Sequence, residues 1–188
     1  MKVKLLAYIF FLLLISANTE VWSQSGNIDS LLRVIDRDKK DTAVLEAYLA
    51  LGRELNIADP EKAMEYFGSG LRLAEALKLP KYIASFKVLC GTYYSRTGDY
   101  NSAFQYYTEA HELLHSLNEN TQLGRLYLYM GNMFWFQDNF TSALENYEKS
   151  YQMSLETGDR QLTSFATGNI GLCYEAMGNF TQAIEMHR

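Results

Sequence analysis

The chain has 188 residues, with 22 acidic against 17 basic side chains and a formal charge of −5. That excess of acid argues against nucleic acid or an anionic lipid surface as the main partner, because phosphate binding needs a basic stripe. Two prolines beside 14 tyrosines and 10 phenylalanines, with few β-branched runs, point to an all-helical domain large enough for a real core.

In chain order, Lys2 and Lys4 precede an apolar run at 5–17, and a more polar stretch ends in Val21-Trp22-Ser23. A basic start, an apolar centre and small residues near a cut site describe a secretory signal peptide over 1–23, cleaved near Ser23/Gln24. The run is short for a membrane span of roughly 20 residues. The chain is therefore expected to be exported, periplasmic or secreted. Removing 1–23 takes away Lys2, Lys4 and Glu20, leaving 15 basic and 21 acidic side chains.

Residues 24–40 read as an N-terminal capping helix and linker. The helix is expected over 27–38, with Ile28, Leu31, Leu32 and Ile35 on one face. The following "DRDKKD" at 36–41 lacks the central glycine and closing glutamate of a calcium loop, and reads as linker.

From residue 41 the chain repeats. Ala63, Ala103, Ala143 and Ala183 recur every 40 residues, as do Gly91, Gly131 and Gly171, with Gly52 one residue out of step. Three residues after each glycine stands Leu55, Tyr94, Phe134 or Tyr174; four after the alanines stand Phe67, Tyr107, Tyr147 and His187. Helical 3–4 spacing on both sides of "RTGDYN" (96–101), "FQDNF" (136–140) and "AMGNF" (176–180) makes each period two helices joined by a turn. Asp59-Pro60 is an N-cap with a first-turn proline, and Pro80 starts another helix. Small residues placed where helices cross let the axes approach, and the aromatics fill the holes beside them.

The run Cys90-Gly91…Tyr94…Gly98-Asp99-Tyr100…Ala103…Tyr107…Ala110 resembles the tetratricopeptide repeat, and the two segments after it do the same. The resemblance covers 41–188, in repeats at about 41–79, 80–118, 119–158 and an incomplete 159–188. It implies a right-handed α-solenoid of antiparallel helix pairs, with periods longer than the usual 34 residues. By the 40-residue offset, the last helix is expected to end near residue 197 rather than at Arg188.

The sequence "HELLH", His111–His115, matches H-E-x-x-H, in which two histidines on one helical face hold zinc and the glutamate serves as base. Here it falls on a second helix, beside the core stripe Ala103, Tyr107, Ala110, Leu114 and Leu117, and the only other histidine is His187. No metal or cofactor and no catalysis are expected. Cys90 and Cys173 lie on first helices two repeats apart, too far for a disulfide. Asn139 and Asn179 begin N-x-T glycosylation sequons, but also stand where a helix N-cap is wanted.

The resemblance implies that first helices line a concave groove for a peptide or protein segment. Its groove slots fall on Ser95 and Arg96, on Arg125, Leu128, Asn132, Trp135 and Phe136, and on Glu175. The candidate groove residues are Arg96, Arg125, Asn132, Trp135 and Glu175. Asn132 and Asn169 resemble the paired asparagines of carboxylate-clamp repeats, although the lysine slot holds Leu128. The expected function is an exported interaction scaffold. The alternative is the input region of a longer membrane-bound signalling protein, a histidine kinase or a DNA-binding regulator; a zinc peptidase is a distant third.

Overall fold

The computed structural model describes residues 27–37 and 40–186. The expected signal peptide and its cut site, Asp38, His187 and Arg188 lie outside the described residues. Among the described residues there are helices and no strands. The chain forms two compact units that divide between Tyr66 and Phe67, inside the repeat expected over 41–79.

The first unit begins with helical residues 27–35, α1, three residues shorter than expected. Past its end, the Lys40 ammonium donates to the carbonyls of Ile35 (2.8 Å), the last helical residue, and Arg37 (3.2 Å). Asp41, the last aspartate of "DRDKKD", accepts a bond from the Ala43 amide (3.0 Å) and caps α2, Thr42–Leu55. The α2 helix buries Val44, Leu45, Leu49 and Leu51. Next, α3 (Pro60–Ala76) starts as expected, with the Asp59 carboxylate accepting from the Lys62 amide (3.1 Å). The rings of Tyr48 and Tyr66 lie 6.2 Å apart.

The second unit holds the rest of α3 and then α4 (Pro80–Thr97), α5 (Tyr100–Ser116), α6 (Asn120–Trp135), α7 (Phe140–Thr157), α8 (Arg160–Ala176) and α9 (Phe180–Met186). The even-numbered helices here are first helices, and each packs on the odd-numbered one that follows it. Asp99, Asn139 and Asp159 cap α5, α7 and α8 by accepting from an amide three residues on. Asn139 therefore does what the N-cap reading expected.

The turns repeat as strictly as the helices. Positive φ occurs at Lys78, Asn118 and Gly158 after second helices, and at Gly98, Asp138 and Gly178 after first helices. Each set keeps the 40-residue period. A left-handed residue here lets the following amide reach back to the last turn, as in Glu119 to Leu114 (3.0 Å) and Asn139 to Phe134 (3.0 Å). This turn also corrects the expected core stripe. The α5 helix ends at Ser116, because Asn118 takes φ 55°, so Leu117 leaves the stripe and is 36% exposed.

Packing turns on two crossings. A Cβ on Gly91 would lie 2.6 Å from the Tyr107 ring, and one on Gly131 would lie 2.5 Å from the Tyr147 ring. Both rings are buried and held at the far end: the Tyr107 hydroxyl bonds to Thr92 (3.2 Å) and that of Tyr147 donates to Asn132 (2.8 Å). Such a ring has nowhere to retreat. Burial also pushes both hydroxyl pKa values up. Cys90 and Cys173 are free and buried, and burial raises their thiols to about 12 and about 11.

Two substitutions separate the crossing from helix propensity. Gly131→Ala is expected to cost ~1–3 kcal/mol through overpacking. Gly168→Ala, on the same kind of helix but with open space around its Cβ, is expected to gain ~0.5–1 kcal/mol. Urea unfolding of both variants checks the contrast; equal shifts in the same direction would contradict the packing.

Candidate functional site

Successive repeats of the second unit touch chiefly where a second helix packs on the next first helix, α5 on α6 and α7 on α8. First helices also touch one another, α4 with α6 and α6 with α8. The groove candidates sit on those three helices. Arg96 lies in the last turn of α4, exposed. Arg125, Asn132 and Trp135 follow one another along α6 at spacings of seven and three, which keeps them on one face. Glu175 is exposed near the end of α8.

The geometry gives the three α6 residues structural partners. The Arg125 guanidinium meets the Asp159 carboxylate at 3.0 Å, tying α6 to the start of α8. Asp159 also caps α8, and its carboxyl is held below the usual range first by the Leu162 amide and then by Arg125. Asn132 accepts from Tyr147 (2.8 Å) and from the Asn169 amide group (3.4 Å). The paired asparagines thus meet each other, one from each of two adjacent first helices. Trp135 is half-buried with its ring 5.0 Å from that of Phe140. Its neighbour Phe136 is 57% exposed, while its carbonyl accepts from the Tyr100 hydroxyl (3.3 Å). Leu128 packs against the core around Ala143 and Ile170. The exposed surface of this face is therefore concentrated in Arg96, Phe136, Glu175 and the outer part of Arg125.

The "HELLH" residues are elsewhere. They ride on α5, with Leu114 buried, Glu112 and His115 exposed, and His111 half-buried. His111 Nε2 is 2.9 Å from the Tyr127 hydroxyl, and its ring stacks 6.0 Å from that of His115. Among the described residues, no group of three or more histidines, cysteines or carboxylates is placed to hold a metal ion. One nitrogen of His111 already has a partner, the Tyr127 hydroxyl, which joins α5 to α6.

A feature that sequence reasoning missed is a hollow of about 1090 Å³ bounded by α5, α6, α7, α8 and α9. His115 and Tyr127 line it, with the second half of α7 and part of α8. None of the five groove candidates does. Its walls come from five helices, so no single spacing announces it; the available sign was the polar side of α7, Glu145, Glu148 and Lys149.

The position of His111 carries a pH dependence. Burial foremost, then His115 and Lys149, depress its pKa below the ordinary 6.5, with Glu112 opposing. The unfolded chain then binds a proton that the folded chain refuses. This contribution is intact above about pH 6.5 and is lost as pH falls through the folded value. Urea midpoints between about pH 7 and 5 are expected to fall less in His111→Gln than in the parent; the same fall in both would contradict the contact.

Residues 122–188 match the family model described as "Tetratricopeptide repeat". Tetratricopeptide repeat protein 29 of Trypanosoma brucei brucei (strain 927/4 GUTat10.1) is 22% identical over 77% of this chain and 30% of its own length. Outer dynein arm-docking complex subunit 4 of Danio rerio is 36% identical over 37% of this chain and 14% of its own. The chain thus spans under a third of either curated relative. Among solved structures, BtubC (BKLC) from P. vanneervenii superposes with a TM-score of 0.69 at 20% identity, covering 86% of this chain and 68% of that one. MamA protein superposes at 0.58 and 20% identity, covering 92% and 83%. Residues 122–188 thus match a tetratricopeptide-repeat model, and the all-α fold of paired helices is the one that the superposed structures share.

Proposed function

We propose that the chain is an exported protein–protein interaction scaffold that captures an extended segment on the face formed by α4, α6 and α8, and that it works by binding alone. The observation that carries this reading is the way the repeats join. First helices touch, and polar side chains tie them along the seam: Arg125 of α6 meets Asp159, the N-cap of α8, and the Asn169 amide reaches Asn132 at 3.4 Å. A face held in this way is preformed, and a ligand settling on it avoids much ordering cost. The exposed Phe136 and Arg96 offer it an aromatic surface and a cation. Export rests on the basic-then-apolar start at residues 2–17. The intact mass of the isolated native protein tests it, since cleavage removes 1–23.

A second reading, that this chain serves as input region of a longer membrane-bound signalling protein, has its own observation. Phe165, Leu172, Phe180 and Ile184 are exposed on α8 and α9. Their equivalents one period earlier are Arg125, Asn132, Phe140 and Leu144; Arg125 and Asn132 bond to the following repeat. This patch suits a further helix pair. The reading frame downstream of the Arg188 codon decides between the two: repeats followed by a membrane helix and an output domain favour the second.

A photo-crosslinker placed at Arg96 or Phe136 is expected to trap the partner in much higher yield than one at Glu112 on α5. Equal yields from all three positions would contradict binding on the first helices. Peptide hydrolysis that disappears in Glu112→Gln would contradict action by binding alone.

A further inference from the structure

The hollow beside α7 has a chemistry of its own. Three tyrosines, Tyr127, Tyr151 and Tyr174, contribute rings from three different helices, and Met153 and Ile170 supply aliphatic wall. Three carboxylates also line it, Glu145, Glu148 and Glu185, all exposed and without an ion-pair partner among the described residues. Against them stands one lysine, Lys149, whose ammonium lies 5.7 Å over the Tyr127 ring. The protein thus already seats a cation of its own on this aromatic wall, beside uncompensated acid.

We propose that this hollow docks a basic amphipathic protein segment, one that carries lysine or arginine among apolar side chains. The tyrosine faces and the carboxylates both attract an ammonium or guanidinium, while Met153 and Ile170 take the apolar side chains between the charges. An acidic segment is repelled by the rim, and a purely apolar one leaves the carboxylates uncompensated. The inference rests on the reading of the chain as a protein-binding scaffold, but it uses different residues from those of the first-helix face.

A synthetic peptide of leucine and lysine, with its leucine–glutamate counterpart as control, tests the proposal on the full chain by methyl NMR and titration. The lysine peptide is expected to shift the Met153 and Ile170 methyl signals, and the glutamate peptide to leave them in place. Reversing Glu145 and Glu148 to lysine is expected to weaken binding by roughly tenfold or more, with Glu61→Lys/Glu65→Lys as a matched change of net charge that weakens it only about twofold. Equal losses in the two variants would reduce the effect to long-range attraction and overturn the site. Unmoved methyl signals, or equal binding of both peptides, would do the same. Neither pair of substitutions touches Arg96 or Phe136, so failure here leaves the crosslinking result on the first helices to stand or fall by itself.

Discussion

Where a first helix crosses its partner, a glycine on one faces a tyrosine ring on the other, with no room for a single added carbon. Gly91 with Tyr107 and Gly131 with Tyr147 are two copies of this contact, 40 residues apart. Each ring is buried and its hydroxyl is bonded to the residue after the glycine, Thr92 or Asn132. The bond matters because a buried phenol without a partner is costly. One residue provides the gap and its neighbour provides the polar anchor. The tyrosine is thereby fixed at both ends, and the distance and rotation of the helix pair are fixed with it.

Everything at the surface follows from that spacing. With each pair set, neighbouring pairs meet along their first helices, and the side chains at those seams become ties: Arg125 to Asp159, Asn132 to Asn169, Ser85 to Gln122. Each second helix reaches the next repeat through that repeat's first helix, as α5 does with α6 and α7 with α8. The first-helix side is consequently tied across its seams by polar side chains, with Phe136 exposed beside them. The side of α7 keeps a hollow in which aromatic and acidic groups face solvent. Two surfaces of unlike chemistry arise from one packing rule.

Much of the fold was legible because the constraint is periodic. Gly91, Gly131 and their tyrosines recur at fixed offsets, and the N-caps Asp59 and Asn139 stand where polar residues precede apolar stripes. The lattice gave helix pairs without any knowledge of their contacts. Its limits are equally physical. Leu117 continues the α5 stripe in spacing, but Asn118 enters a left-handed turn that the spacing does not register. The α1 helix gives way at Asp36, and the turn after it is tied by Lys40 to the carbonyls of Ile35 and Arg37, a contact that spacing alone does not register. The groove candidates were chosen by slot, and a slot does not say whether a polar group is already spoken for. Arg125 and Asn132 find partners one repeat away, at sequence separations of 34 and 37. The hollow was hidden for the same reason, since its walls belong to five helices and share no common period.

A double-mutant cycle between Gly131 and Tyr147 tests the central contact most directly. Urea unfolding would be measured for the parent, Gly131→Ala, Tyr147→Leu and the double variant. If the glycine exists to admit the ring, the cost of Gly131→Ala shrinks by about 1 kcal/mol or more once the ring is gone. Costs that add to within ~0.3–0.5 kcal/mol would mean that the two residues are independent, and that something other than this contact sets the spacing of the repeats.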